Sequence, residues 1–264
     1  MNLSNYHTHT TYCDGRDTPE EMVETAIALG CPELGFSEHC MTTLPPEILY
    51  GMSPEKSAAY REEIHALKEK YAGKIRILCG IEQDIDVGAP EKGYDYVIGS
   101  VHHLVQNGEY FSIDRSAKDQ DIGVQKGFGG DYYAYVEAYY RCVAQVYEVT
   151  KCDVIGHFDL VSKFNEGNCR YDPSHPRMRR AAEEALEVLL ETPAIFEVNT
   201  GAIARGYRTM PYPEDWMLQK IAKAGKPVIL TSDCHDRRNL LCRMAEEKER
   251  LKRMGVEVLD TLGK

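Results

Sequence analysis

The sequence predicts an α/β protein whose parallel strands curl into a barrel-like single domain, and three observations lead there. Short apolar runs alternate with amphipathic stretches along the whole chain. Nearly every apolar run is followed at once by His, Asp or Glu. No Gly-x-Gly-x-x-Gly or Gly-x-x-x-x-Gly-Lys turn follows any of them, which disfavours an open nucleotide-binding sheet. Polar residues gathered at the carboxyl ends of successive parallel strands mark a barrel's active face.

The first element is Asn5-Tyr6-His7-Thr8-His9-Thr10. In an extended segment His7 and His9 project to one side, because side chains alternate along a strand. Thr18-Pro19-Glu20-Glu21 then opens a helix: threonine caps, proline takes the first helical position and glutamate completes a capping box. Met22, Val23, Ala26 and Ile27 give it an apolar face, and Gly30 closes it. A buried strand over 34–37 delivers Glu38-His39.

Residues 40–53 read as a proline-containing loop and 53–71 as a charged helix. A strand over 75–81 ends in Glu82, and one over 94–101 ends in His102-His103. Residues 104–130 are polar and longer than an ordinary connection, so they are expected to form an active-site loop. A tyrosine-rich helix over 131–149 is expected to serve the core and a subunit contact. Strand 152–155 ends in Gly156-His157-Phe158-Asp159, a helix covers 173–191, and strand 194–198 ends in Asn199-Thr200. A helix over 213–224, a strand over 228–231 ending in Ser232-Asp233-Cys234-His235, a helix over 236–254 and a short closing strand at 256–258 complete the chain. That makes seven strand-then-helix units in one domain, 1–264, with no repeat or linker to divide it.

The balance of charge, −11 with 43% hydrophobic residues, argues against a nucleic-acid binder, though ions in a cleft would reverse the sign locally for an anionic substrate. No apolar run is long enough to cross a membrane, and the N-terminus lacks a signal pattern. Nine scattered cysteines without a Cys-x-x-Cys pair read as reduced thiols and a cytoplasmic location. Trp216 and the tyrosines offer contact surface but select no oligomeric state.

The candidate metal ligands are His7, His9, Asp14, His39, Glu82, His102, His157, Asp233 and His235. Singly, each has a plain structural reading: His39 or His157 as a core histidine, Asp233 as a cap, Glu82 as a solvated strand end. Together, at the same end of their strands, they exceed what one ion uses and fit two or three, with Glu82 as a carboxylate bridge. Cysteine or serine nucleophiles have little support: ligand duty occupies most histidines, and Gly-x-Ser-x-Gly does not occur.

His7-Thr8-His9-Thr10 with Cys13-Asp14-Gly15, Ser37-Glu38-His39, Gly80-Ile81-Glu82, Gly99-Ser100-Val101-His102, Gly156-His157-Phe158-Asp159-Leu160 and Ser232-Asp233-Cys234-His235 resemble, in order, the polymerase and histidinol phosphatase (PHP) superfamily. Length, the Ser-Val-His segment, and Glu197-Val198-Asn199-Thr200 followed by Arg205 resemble its stand-alone histidinol-phosphate phosphatases. The resemblance implies a distorted (β/α)7 barrel, TIM-barrel-like, with three divalent ions, usually zinc, manganese or iron. By position, His7, His9, Glu82 and Asp233 would hold one ion, Glu82, His102 and His157 a second, and His39, His235 and Asp14 the third. Many superfamily members have histidine where this chain has Asp14, which favours a harder metal there.

The implied reaction is hydrolysis of L-histidinol phosphate, a small-molecule phosphate ester of histidine biosynthesis, to L-histidinol and inorganic phosphate by a metal-bridging hydroxide. Glu82, Asp233 and His235 would be catalytic, and Arg205 would clamp the phosphate, with Lys163, Arg115 and His103 as further substrate contacts. The proton for the leaving alkoxide would come from His235 or from water held by Asp233. Two rival readings stand beside this one: a phosphoesterase of the same superfamily acting on nucleotides or another small ester, and a non-catalytic metal-binding scaffold.

Overall fold

The computed structural model describes residues 3–42, 44 and 51–263. Part of the loop expected at 40–53, namely 43 and 45–50, lies outside the described residues. Among the described residues the main sheet runs β1 (Glu33–His39), β2 (Arg76–Asp84), β3 (Tyr96–Ser100), β6 (Val154–Ile155), β7 (Ile195–Asn199), β8 (Val228–Thr231) and β9 (Val258–Leu259). Every pairing in it is parallel. A separate antiparallel hairpin pairs β4 (His103–Gln106) with β5 (Glu109–Ser112).

The N-terminal segment expected as the first strand forms isolated bridges instead, and these join the two sides of the sheet. Asn5 bridges Leu34 and Thr8 bridges Cys234, both in parallel sense. The Gly35 N–H donates to the Asn5 carbonyl at 2.8 Å, and the His9 N–H to the Cys234 carbonyl at 2.8 Å. His7 and His9 are thereby set between β1 and the end of β8, inside the curl.

Alternation along the strands sorts the interior. Leu34, Phe36, Ile77, Cys79 and Ile81 face outward and pack with helices α1 (Pro19–Ala28) and α2 (Pro54–Lys70). Phe196, Val198, Val228 and Leu230 pack outward with α4 (Tyr132–Val143), α6 (Pro176–Leu190) and α8 (Asp215–Lys223). The complementary set, Tyr6, Leu78, Tyr96, Ile98, Val154 and Ile229, forms a small core of its own that floors the site. The Tyr96 hydroxyl donates across this floor to the Phe36 carbonyl at 2.9 Å.

Gly80 exists for that ring, since a Cβ there would lie 2.3 Å from Cζ of Tyr96. Gly80→Ala is therefore expected to lower unfolding free energy by about 1–3 kcal/mol, the usual cost of overpacking a filled core. A urea midpoint equal to that of the parent would show that the ring can move aside.

The helix starts follow local chemistry. The Thr18–Glu21 capping box is present on α1, and Ser53 caps α2. Three expectations, one of a loop and two of helices, need correction. Residues 104–130 are not a plain loop: beyond β4 and β5 comes α3 (Ala117–Phe128), capped by Ser116 and closed by left-handed Gly129. The tyrosine-rich helix breaks after Val143 and resumes as α5 (Val146–Thr150). The last helix is split into a 3-10 turn at Arg237–Asn239, which Asp236 caps, and α9 (Met244–Arg253). The 213–224 helix begins at Asp215, and a short α7 (Gly201–Ala204) follows β7. Tyr135, Tyr139 and Tyr140 of α4 are buried, as a core role requires.

Candidate metal centre

Parallel pairing puts neighbouring strand ends level, so the polar residues at those ends meet. His39 and Glu82 are direct partners in the β1–β2 register. Ser100, the last residue of β3, donates its hydroxyl to Glu82 Oε1 at 2.7 Å. Asp233 follows β8 in a left-handed conformation (φ 46°), strained for a residue with a side chain and of the sort that collects at functional sites. Asp14 is brought in by a turn that folds back on His9. At Gly15 a Cβ would strike the His9 carbonyl carbon at 2.5 Å, so only glycine permits that approach.

All nine candidate ligands converge. His7 Nε2 lies 3.4 Å from Glu82 Oε1 and 3.8 Å from Asp233 Oδ1. His9 Nε2 is 3.6 Å from Glu82 Oε2 and 3.4 Å from Asp233 Oδ1. Nε2 of His102 and of His157 face Glu82 Oε1 at 3.4 and 2.9 Å. Asp14 Oδ1 receives Nε2 of His235 at 3.3 Å and of His39 at 3.6 Å. Grouping by ion departs from expectation at His39, whose Nδ1 also faces Glu82 Oε2 at 2.9 Å. It stands between the second and third donor sets because β1 lies directly beside β2.

Buried polar atoms nearly always find partners. Here His7 Nε2 and His9 Nε2 make no hydrogen bond, although both are buried and both face the carboxylates of Glu82 and Asp233. Spacings of 3.4 to 3.8 Å between such atoms leave room for a cation that touches both. The donors form ion-sized groups, including His7, His9 and Asp233, and His39, Glu82 and His102. A mixed imidazole and carboxylate set of this kind suits zinc, manganese or iron.

Electrostatics agree. Burial opposes a charge on His7, but Glu197, Glu82 and Asp233 outweigh it and raise its pKa well above the usual value. Burial likewise opposes charge on His102, yet Glu82 and Asp84 raise it to about 10. His9 is pushed down to about 3 by burial and by its neighbours His235 and His39. Despite burial, His7, His102 and His39 hold Glu82 well below the carboxylate range. Protons thus balance the carboxylates until cations replace them, and cation binding must release those protons.

The cluster floors a cavity of about 280 Å³, small enough to favour a small ester over a polymer. Arg205, Lys163, Arg115 and His103, the candidate substrate contacts, all line it. Arg205 donates to Asp233 Oδ2 at 2.8 Å and lies 3.0 Å from His235 Nδ1. Lys163 is held by the Asp114 carbonyl at 2.8 Å and its carboxylate at 3.0 Å. Arg16, Ser112, Asp114, Leu160 and Tyr207 also line the cavity and were not foreseen.

Two further carboxylates missed in the sequence support ligand imidazoles. Glu197 Oε1 lies 2.6 Å from His7 Nδ1, and Asp84 Oδ2 lies 2.9 Å from His102 Nδ1. Such partners fix a ligating imidazole's tautomer and rotation. A signal for both existed: Asp84 shares a strand face with Glu82, and Glu197 interrupts an apolar run on the inward side.

Comparison with known proteins matches residues 5–201 to the PHP domain family model. A Deinococcus radiodurans protein named "Probable histidinol-phosphatase" is 29% identical over 96% of this chain and 94% of its own length. The histidinol-phosphatase of Bacillus subtilis is 27% identical over 87% of this chain and 92% of its own. A histidinol phosphate phosphatase from Lactococcus lactis, solved with zinc, L-histidinol and phosphate, superposes with a TM-score of 0.68. It is 22% identical and covers 98% of this chain and 95% of that one, a likeness of fold.

Proposed function

Because the chain belongs to the PHP domain family, we propose that it is a metal-dependent phosphomonoesterase that hydrolyses L-histidinol phosphate to L-histidinol and inorganic phosphate in histidine biosynthesis. The observation that carries this is the convergence of nine candidate ligands, with His7 Nε2 and His9 Nε2 buried and free of hydrogen bonds, beneath a small cavity lined by Arg205. Relatives matched over nearly their whole length bear the name of that activity. We read 1–264 as one domain. The cysteines are all free, as suits a cytoplasmic enzyme, and among the described residues no helix is long and apolar enough to cross a membrane.

In this reading His7, His9, Glu82 and Asp233 hold one ion, Glu82, His102 and His157 a second, and Asp14, His39 and His235 a third. Divalent ions at these sites supply positive charge against the phosphoryl oxygens and lower the pKa of water. The protein's own contribution is placement. Glu197 and Asp84 fix the rotation of His7 and His102, and Asp233 orients Arg205, whose guanidinium presents a planar pair of donors to a phosphate. His235 Nδ1 lies 3.1 Å from the Asp233 carbonyl. The same nitrogen faces the Arg205 guanidinium at 3.0 Å, a group that can only donate, so Asp233 and Arg205 together hold the His235 ring in place.

The test is phosphate release by metal-reconstituted protein from L-histidinol phosphate beside a panel of nucleotides and sugar phosphates. A kcat/KM for histidinol phosphate well above the whole panel is expected, with activity abolished by chelation and restored by metal. A preference for another ester would overturn the substrate. No turnover with ions bound would make the domain a scaffold.

A further inference from the structure

We propose that Cys13 is a positioning residue, linking the buried Glu38 carboxylate to Nδ1 of His9 and so fixing how His9 presents Nε2 to a cation. The inference rests on the metal-binding reading above and concerns how that centre is held in shape. Behind His7 and His102 stands a carboxylate, Glu197 and Asp84 respectively, in direct contact with Nδ1. His9 breaks this pattern. Its Nδ1 faces the Cys13 thiol, Nδ1 to Sγ 3.4 Å, and that thiol donates to Glu38 Oε2.

Glu38 is fully buried, and its other oxygen accepts from the Thr10 hydroxyl at 2.5 Å. A thiol can donate and accept at once, so the chain is complete when the His9 Nδ1–H donates to Sγ and the S–H donates to Glu38. That arrangement sets the tautomer with its lone pair on Nε2, the partnerless atom facing Glu82 and Asp233. Sγ also lies 3.3 Å from Asp14 Oδ1, but one S–H serves one acceptor, and Glu38 is the nearer.

The competing assignment is direct ligation, since Cys13 falls with His9, Asp14 and His39 in a group tight enough to hold an ion. Ligation would set a thiolate in contact with the Glu38 carboxylate, two anions side by side, which the full burial of Glu38 disfavours. A neutral thiol between histidine and carboxylate avoids this.

The test measures zinc and manganese affinity by chelator competition without substrate, in the full chain and in Cys13→Ala and Cys13→Ser. Cys13→Ala is expected to weaken one ion by about 10- to 100-fold, the scale of losing a partner behind a ligand. Cys13→Ser, which can still donate and accept, is expected to recover most of that loss. Unchanged affinity in Cys13→Ala overturns the proposal. So does a sulfur-to-metal charge-transfer band in cobalt-substituted parent protein, which would make Cys13 a ligand. Nitrogen-15 spectra of the zinc-loaded parent need no variant: His9 should carry its proton on Nδ1, and an unprotonated Nδ1 overturns the relay. A parent protein that binds no ion defeats the metal reading itself, whereas a parent that binds and an alanine variant that binds equally defeat only this inference.

Discussion

Replacing Glu82 with alanine is expected to remove at least one metal equivalent per chain and to lower kcat/KM by at least about 10³-fold, the upper scale for losing a preorganised charge in an active site. Among the described residues no other carboxylate faces so many imidazoles. Oε1 faces His7, His102 and His157, and Oε2 faces His9 and His39. Without it five imidazoles converge on one point, and of these only His7 and His9 keep a carboxylate in common, that of Asp233. Glu82→Gln separates shape from charge: the amide fills the same space, so a loss equal to that of alanine assigns the effect to charge. Elemental analysis of both variants checks this, and full metal occupancy with normal turnover would end the bridging role.

The same residue makes the metal-free protein's stability depend on pH in a stated direction. His102, raised to about 10, contributes stability in full below its unfolded pKa of about 6.5 and loses it as pH rises towards 10. Glu82 is depressed, so its share is complete above about pH 4.3 and vanishes as pH falls through its folded value. The metal-free parent should therefore exceed Glu82→Gln most in urea midpoint between those limits.

What could be read in the sequence was whatever sits at a strand end. His39, Glu82, His102, His157 and Asp233 follow apolar runs, and parallel pairing forces such positions to one face, so the centre was legible before any contact was known. The carboxylates behind the imidazoles were harder, because Asp84 and Glu197 look like strand-end or strand-interior acids until the ring they touch is located. The hairpin β4–β5 and α3 were missed because Gly108 and Gly123 made 104–130 look like loop. Those same glycines serve the structure: Gly108 takes a positive φ, and Gly123 packs beneath Phe111. The first strand failed for a different reason. Asn5 and Thr8 bridge opposite neighbours, Leu34 and Cys234, so the segment closes the curl without running along either strand.

Arg205→Ala is expected to cut kcat/KM for phosphate esters by roughly 10- to 1000-fold, the range for losing a charge-assisted clamp. Its position creates an ambiguity that the experiment must resolve. The guanidinium binds Asp233 at 2.8 Å, so the substitution removes both a donor to phosphate and a counter-charge to a candidate metal ligand. A clamp and a ligand support differ in what else they change. If Arg205 holds the phosphate, inorganic phosphate inhibition weakens in proportion to kcat/KM while metal content stays at the parental value. Arg205→Lys should then recover only part of the loss, since a point charge cannot reproduce the planar pair of donors. If metal content falls in step with the rate, Arg205 acts through Asp233 and its role as a clamp is refuted. Unchanged kinetics with full metal would refute both roles, and the Asp233 contact would then be only the resting place of a surface cation.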